Sequence, residues 1–328
     1  MLRFVGKRLL IMLPVLLGVT IIVFTMMYLT DGDPARLRLG DDASEQEVQM
    51  LRDEMGLNDS FARQYIRYLA GVLHGDLGTS YTTGRPVADE IIERLPITFR
   101  LAVLSTLLAI FIGIPAGIFS AVRQYSLADN VAMVLALLGI TMPNFWLALL
   151  LVLFFSVYLG ILPASGLYGP LYYILPVISI SAASTATITR MTRSSMLEVI
   201  RQDYIRTARA KGQRESVVIL KHALKNALIP IVTVIGIQFS VVLGGAVVNE
   251  QVFAIPGLGK LLVDAIKARN YPVVQGGVLT IAVMFSLLNL LVDLLYAFLD
   301  PRIKTQYQRS SKERTAVASA GYQGGVKR

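Results

Sequence analysis

The sequence has no cysteine, two histidines and few charged residues in a chain of 328 residues. Without cysteine, the protein cannot form disulfide bonds, use a thiolate nucleophile or bind a metal through sulfur. His74 and His222 lie far apart in the sequence, which argues against a histidine-based metal centre. Charged residues make up 16% and hydrophobic residues 54% of the chain, whereas soluble domains average about 25% charged and about 45–50% apolar residues. The composition therefore excludes an ordinary soluble protein and predicts an integral membrane protein.

Motifs of common enzyme classes are also missing. The sequence contains no G-x-x-x-x-G-K-[ST] phosphate-binding loop, no H-E-x-x-H zinc motif and no G-x-S-x-G nucleophile motif. The nearest approach to a phosphate-binding loop, Gly257 to Leu261, lacks the first glycine and the hydroxyl residue. We therefore expect that the chain is not itself an enzyme, does not hydrolyse ATP, and carries no metal site or cofactor of its own.

Long runs without Asp, Glu, Lys or Arg are abundant, and about 20 apolar residues suffice for a helix to cross a bilayer. The uncharged run from 130 to 189 is too long for one helix, and helix breakers cluster between Leu162 and Pro170, so this run is predicted to fold back. The sequence thus predicts an all-α polytopic membrane protein with six transmembrane helices. The predicted spans cover residues 9–30, 101–122, 131–158, 173–189, 228–249 and 276–299.

The formal charge of +9 is unevenly distributed along the chain. With the N-terminus inside, 20 of the 31 Lys and Arg residues lie on the inner side against six acids, and the other 11 lie outside against 15 acids. The positive-inside rule therefore predicts that both termini are cytoplasmic. We interpret the basic excess as topology and contact with membrane lipid, and expect no nucleic-acid partner. A cleaved signal peptide is the alternative for the first span, but residues 30–34 offer no small-residue cleavage site.

The predicted outer loop, residues 31–100, carries signals for short amphipathic helices. Ser44 and Glu47 form a capping-box pattern ahead of apolar residues at helical spacing. A second amphipathic helix is predicted from about Phe61 to Leu73, with Phe61, Tyr65, Leu69, Val72 and Leu73 on one side. These helices either pack over the ends of the spans or dock a partner that delivers substrate.

The predicted cytoplasmic segment, residues 190–225, is too charged to span the bilayer. Its pattern from Ser195 onward predicts a helix that ends at Gly212, and a second helix then leads into the fifth span. The segment holds nine basic residues and three acids. Contact with lipid headgroups is the simplest interpretation of that charge, and docking of a cytoplasmic partner is the alternative.

Several polar residues within the predicted spans are candidates for lining a translocation path. The fourth span is rich in Ser, Thr and Ala, which suits either close helix packing or the wall of a polar path. Asp293 is the one ionisable residue predicted inside a span, where it either pairs with a cytoplasmic Arg or Lys or acts in transport. A proton relay would have too few groups, which weakens the hypothesis of an ion-coupled carrier. The path candidates are Ser181, Ser184, Thr185, Gln238 and Asp293.

The cytoplasmic segment resembles a specific family. The stretches Arg190 to Val199 and Asp203 to Gly212 are similar to those in permease subunits of peptide-type ABC importers, which take up dipeptides, oligopeptides, glutathione or nickel complexes. Further motifs of the family match in the same order, and the long first outer loop resembles that of one of its two permease chains. These motifs are Gly32–Pro34, His74–Gly78, Pro256–Gly259, Tyr271–Gly276, Asn289–Tyr296 and Asp300–Arg302. The similarity covers residues 1–304, and the tail, residues 305–328, is predicted to be disordered and cytoplasmic.

The resemblance implies that the cytoplasmic helix pair carries the so-called EAA loop, which fits a groove on an ATPase subunit and transmits its closure. General ABC importers have Glu-Ala-Ala where this chain has Arg206, Thr207 and Ala208. This difference questions the individual contacts with the ATPase more than the coupling role of the loop. The residues assigned to ATPase coupling are Glu198, Asp203, Tyr204, Arg206, Thr207, Ala208, Ala210, Lys211 and Gly212.

The resemblance also implies the partners of the chain in a bacterial inner membrane. They are a second homologous permease chain, two ATPase subunits that bind ATP and magnesium, and an extracytoplasmic substrate-binding protein. The implied function is to form half of the translocation path of an ATP-driven importer for di- and oligopeptides. Glutathione and nickel chelates are alternative substrates, and an ion-coupled secondary carrier is the alternative function.

Overall fold

The computed structural model describes residues 2–30, 32–40 and 42–299 of the chain. Within these residues the regular elements are helices, and the one β-type contact is an isolated bridge between Thr79 and Pro86. The predicted all-α fold is therefore confirmed. The predicted disordered tail, residues 305–328, lies outside the described residues.

Thirteen α-helices follow one another along the described chain. They are α1 (Leu2–Leu29), α2 (Pro34–Leu39), α3 (Glu45–Met55), α4 (Phe61–Leu73), α5 (Val87–Val122), α6 (Leu127–Thr141), α7 (Asn144–Leu151), α8 (Ile174–Ile200), α9 (Asp203–Ala210), α10 (Glu215–Val217), α11 (Leu224–Val252), α12 (Leu258–Lys267) and α13 (Tyr271–Leu299). A π-helix, Val152–Tyr158, continues α7, and a second one, Val218–Ala223, joins α10 to α11. A short 3-10 helix, Pro170–Tyr173, precedes α8.

Five of these helical segments are long and apolar enough to cross a membrane, and a sixth span results if α6, α7 and the following π-helix are counted together. The prediction of one continuous third helix over 131–158 is wrong, because the chain bends by 105° between α6 and α7. Pro143 causes the break, since its nitrogen has no hydrogen to donate and its ring disfavours a helical conformation in the preceding residue. Met142 accordingly has an extended backbone, with φ −72° and ψ 126°.

The helices extend beyond the predicted membrane limits. Helix α5 begins at Val87, so its first turns occupy part of the predicted outer loop, and α8 continues to Ile200 in the predicted cytoplasmic segment. Charged residues mark where a chain leaves the hydrocarbon, whereas a helix ends only where its backbone hydrogen bonds stop. The long helices place α2–α4 and α12 at one end of the molecule, the loop end, and α9 at the other, the coupling end.

Helices α5 and α8 pack closely because glycines on α5 face α8. A methyl group added to Gly117 would lie 2.6 Å from the carbonyl oxygen of Thr189, and one added to Gly113 would lie 3.0 Å from that of Thr185. Small residues at such spacing let two helix backbones approach each other in a membrane. The α8 residues that face these two glycines are threonines and an isoleucine, whereas Ala182 and Ala186 of α8 lie against Gly139 of α6.

At the loop end, α4 packs against α1 through aromatic side chains. The ring of Phe24 lies 5.3 Å from that of Phe61 and 5.3 Å from that of Tyr65, measured between centroids. The Ser44–Glu47 capping box at the start of α3 is present as predicted. Leu73 was predicted on the packed side of α4 but is 85% exposed, because it is the last residue of the helix.

Two of the motifs that resemble those of the permease family, His74–Gly78 and Tyr271–Gly276, are far apart in sequence but lie together at the loop end. The amide nitrogen of Asn270 donates to the hydroxyls of Ser80, at 2.8 Å, and Thr82, at 3.0 Å. Its carbonyl oxygen accepts from the backbone of Tyr81 at 3.1 Å. Asn270 is buried, so these bonds satisfy a side chain that has lost its water. They fix the loop that follows His74–Gly78 onto the turn before Tyr271–Gly276.

A buried carboxylate explains the Pro256–Gly259 motif. Glu250, near the end of α11, accepts hydrogen bonds from the hydroxyl of Thr98 at 2.5 Å and from the backbone nitrogen of Lys260 at 2.9 Å. It thus caps the first turn of α12, where a negative charge is favoured. A side chain on Gly257 would collide with this carboxylate, and one on Gly259 would collide with Val247 as well as with the carboxylate. Sequence analysis missed Glu250, because its partners lie on α5 and α12.

Candidate coupling site

Helix α9 stands apart from α8 as a short, separately oriented helix. The predicted continuous helix ending at Gly212 is therefore wrong in one respect, since α8 stops at Ile200 and α9 starts at Asp203. Between them Gln202 has an extended backbone, with φ −73° and ψ 149°. The break redirects the chain so that Ile205 enters the apolar cluster at the ends of the long helices.

The residues assigned to ATPase coupling lie on α9, beside it and at the end of α8, and most of them are exposed. Eight of the nine are exposed, and Ala208 is half-buried. The exposed ones are Glu198, Asp203, Tyr204, Arg206, Thr207, Ala210, Lys211 and Gly212. The structure thus leaves most of the assigned residues accessible, and their contact with an ATPase stays a prediction.

A single buried side chain anchors α9. Ile205 is fully buried, and it is the one residue of the helix classed as buried. Its cluster combines Ala121 from α5, Met196 from α8, Ala223 from the second π-helix and Ile231 from α11. Sequence analysis missed Ile205, although an isoleucine within an otherwise polar exposed helix was the available signal. Ile205 therefore connects α9 to the ends of α5, α8 and α11.

The turn after α9 requires glycine. Gly212 has φ +70°, the left-handed conformation in which glycine is favoured at a helix end. Its backbone nitrogen donates to Arg209 at 2.9 Å, and that of Gln213 donates to Ala208 at 3.4 Å. A methyl group at Gly212 would meet no atom within 4 Å. The conformation of the backbone therefore constrains this position, and crowding does not.

Polar contacts hold α9 to the helix that follows it. Arg209 donates to both carboxylate oxygens of Glu215, at 2.7 Å and 3.1 Å, across the glycine turn. These hydrogen bonds raise the pKa of the Arg209 guanidinium above its usual value. The amide of Asn226 donates to the hydroxyl of Tyr204 at 2.9 Å. The pair of helices around Gly212 is thus a connected unit.

A buried ion pair supports the same end of the molecule. Arg193 on α8 donates to both oxygens of Asp129 on α6, each at 2.7 Å, and the Asp129 side chain is 1% exposed. The same carboxylate accepts from the hydroxyl of Ser120 and, at 2.9 Å, from the backbone of Tyr125. These contacts lock the α5–α6 turn to α8 close to the Ile205 cluster. Sequence analysis did not assign Asp129, because only the fold brings it to Arg193.

The predicted path residues are not joined to one another by polar contacts in the described part of the chain. Ser181 and Ser184 are buried, and the hydroxyl of Ser181 donates to the carbonyl oxygen of Ile178 at 3.0 Å. Thr185 and Gln238 are half-buried. Among the described residues, no hydrogen bond or ion pair joins any two of the five candidates. Their role in a path stays a prediction.

Asp293 has a structural partner. Its carboxylate lies 2.9 Å from the guanidinium of Arg8 on α1. This contact confirms the interpretation that a basic residue pairs with Asp293, and it connects α1 to α13. A carboxylate that is held by an arginine is poorly suited to carry protons, which weakens further the hypothesis of an ion-coupled carrier.

Comparisons with known proteins identify the family. A family model described as "Binding-protein-dependent transport system inner membrane component" matches residues 113–305, and the model of the N-terminal part of such components matches residues 1–102. The chain belongs to this family of inner membrane components, and it is a multi-pass membrane protein.

Curated relatives are similar over nearly the whole chain. The dipeptide transport system permease protein DppB of Alkalihalophilus pseudofirmus is 45% identical, over 93% of this chain and 100% of the relative. The glutathione transport system permease protein GsiC of Pectobacterium atrosepticum is 47% identical, over 93% of this chain and 99% of the relative. GsiC of Escherichia coli K12 is 44% identical over the same shares.

Solved structures share the fold of about two thirds of the chain. An inward-facing structure of the MetNI methionine ABC transporter aligns with a TM-score of 0.52 and 19% identity. The alignment covers 64% of this chain and 96% of the matched chain. A second crystal form of the same transporter aligns with a TM-score of 0.53. At this level of identity the likeness concerns the fold alone.

We expect that Arg193→Met destabilises the protein strongly. Removing one partner of a buried ion pair leaves an uncompensated charge, which costs about 3–5 kcal/mol. Adding Asp129→Asn removes that charge and recovers part of the loss. Thermal denaturation in detergent measures both effects. Arg190→Met, an exposed position on the same helix, is the matched control. Equal denaturation midpoints for the Arg190 and Arg193 variants would contradict the assignment.

Proposed function

We propose that this chain is a permease subunit of an ATP-driven importer and forms half of its translocation path for di- and oligopeptides. Family membership supports the transport role. The observation that carries the coupling role is α9, an exposed polar helix whose one buried side chain reaches three long helices. In this proposal the partner ATPases hydrolyse ATP, bound with magnesium, and this chain transmits the resulting motion.

The proposed assembly contains four kinds of chain. A second, homologous permease completes the path, two ATPase subunits dock on the coupling residues, and an extracytoplasmic binding protein delivers the substrate. The charge distribution of the sequence supports an orientation with both termini and α9 in the cytoplasm and the loop end outside. In this orientation the C-terminal tail, residues 305–328, is cytoplasmic.

The mechanism requires two conformations of the permease. Binding of ATP draws the two ATPases together, and the docked α9 helices move with them. Because Ile205 is packed against α5, α8 and α11, the displacement of α9 changes the positions of those helices. A transporter of this kind works by biasing an equilibrium between two states of the path, with the ATPases and the substrate as the two effectors.

Peptides are the substrate class that the relatives support best. The two named substrates of the curated relatives are dipeptides and glutathione, and the identities of 45% and 47% do not separate them. Both are short peptides with charged ends, so one path of modest polarity could serve either. Nickel chelates are a further alternative within the same machinery. Selection among such substrates is assigned mainly to the binding protein.

We expect that this chain co-purifies with an ATPase when it is expressed with its neighbouring genes and solubilised in a mild detergent. Uptake in liposomes then requires ATP, both permeases and the binding protein. The ion-coupled carrier predicts instead that this chain alone takes up substrate under an ion gradient. Recovery of the chain alone in repeated purifications, together with such gradient-driven uptake, would contradict the proposed function.

We expect that Gly212→Val uncouples ATP hydrolysis from uptake. A β-branched side chain in the left-handed conformation costs about 1–2 kcal/mol, so the turn between α9 and α10 changes its geometry. Amounts of the variant in the membrane stay normal, while substrate uptake per ATP hydrolysed falls. Gly212→Asn is the matched control, because asparagine tolerates this conformation. Normal uptake by the valine variant would contradict the role of this turn.

A further inference from the structure

We propose that the groove between α5 and α8 at the loop end binds one anionic phospholipid, with its phosphate on Arg100 and an acyl chain along α5. Two open cavities, of about 480 Å³ and 600 Å³, lie along this groove. Both are lined by Leu104 and Tyr173, so they are continuous. The first contains Arg100 and the second is almost wholly apolar.

Along α5 the residues that line the groove run from a basic residue to apolar residues, in the order of the headgroup and acyl chain of a phospholipid. Arg100, Leu104, Leu107 and Phe111 follow at intervals of four, three and four residues, which places them on one face of the helix. At 1.5 Å per residue, Arg100 and Phe111 are about 16 Å apart along the axis. One leaflet of a bilayer with a hydrocarbon core of about 30 Å has a similar depth. The groove thus has a positively charged residue at one end and an apolar surface that extends over the depth of one leaflet.

The charge of Arg100 is uncompensated. Arg36, Arg52 and Arg85 at the same end each form a salt bridge with a carboxylate. Arg100 forms none within the described chain, and its one polar contact is a hydrogen bond of 3.3 Å to the hydroxyl of Tyr173. A planar guanidinium with free donors fits a phosphate group well. A net anionic headgroup therefore complements this position better than a zwitterionic one.

The walls of the groove favour a lipid over a partner helix. Helices that meet inside a membrane place small residues at the contact. The α5–α8 contact obeys this rule through Gly113 and Gly117, whereas the groove is lined by Leu107, Phe111 and Ile174. Large apolar side chains around a concave channel leave room for a flexible acyl chain. Leu107 is 56% exposed and Phe111 is 79% exposed in this chain, so the surface is open to an occupant.

The test uses the complete complex in nanodiscs of phosphatidylcholine that contain phosphatidylglycerol as the probe. After transfer to mild detergent, native mass spectrometry counts the phosphatidylglycerol molecules retained. Arg100→Gln is expected to weaken retention about tenfold, because a charge-assisted contact to phosphate is lost. Leu107→Trp, which fills the apolar channel and leaves Arg100 in place, has the same effect. Arg94→Gln, on the same helix but outside the groove, retains lipid as the unmodified chain does.

Two further outcomes would overturn the proposal. Equal retention by the Arg100, Leu107 and Arg94 variants would mean that the groove has no selective lipid site, and displacement of the lipid by inorganic phosphate alone would assign Arg100 to a free anion. Because this chain has no cysteine, Phe111→Cys introduces one label at a known position of this chain. Crosslinking of that cysteine to the second permease, and not to a photoreactive phosphatidylglycerol, would assign the groove to a protein contact.

Discussion

The insertion of Ile205 among the ends of α5, α8 and α11 is the contact on which the coupling account depends. Helix α9 is otherwise polar and exposed, so it gains little from its surroundings except through this side chain and the hydrogen bonds around Gly212. Protein interiors are close-packed and hardly compressible, so a buried side chain passes displacement to its neighbours. Ile205 thereby links the short, exposed helix α9 rigidly to the membrane-spanning part of the chain.

The rest of the structure keeps that linkage stiff. The backbones of α5 and α8 approach closely at Gly113 and Gly117, and the Asp129–Arg193 ion pair fastens the α5–α6 turn to α8. At the loop end, the buried Glu250 and Asn270 each join segments that are distant in sequence. Buried polar groups with all partners in place specify one arrangement, because any other arrangement leaves them unpaired. A stiff body with defined ends is what transmission across a membrane requires.

Much of this could be predicted from the sequence. Uncharged runs predicted the long helices, because the cost of burying charge in hydrocarbon limits where Lys, Arg, Asp and Glu occur. The same runs do not show where a helix changes its direction. The bend between α6 and α7 was therefore missed, although Pro143 signals it. The coupling residues were assigned through the resemblance to a permease family, and the helix end at Gly212 was predicted from the glycine itself. Ile205, Asp129 and Glu250 were missed because their partners come from helices far away in sequence, which local patterns do not encode. The pairing of Asp293 was predicted, but its partner Arg8 follows only from the packing of α1 on α13.

The most direct test of the coupling account compares two aliphatic truncations in the reconstituted complex. Ile205→Ala empties the contact among α5, α8 and α11, whereas Leu220→Ala, nearby on the following π-helix, removes a side chain that is 58% exposed. The measurement is the number of ATP molecules hydrolysed per substrate molecule imported, in complexes shown by gel filtration to be intact. The account predicts that this ratio rises several-fold for Ile205→Ala and stays unchanged for Leu220→Ala. An unchanged ratio for an intact Ile205→Ala complex would contradict the claim that this side chain carries the coupling.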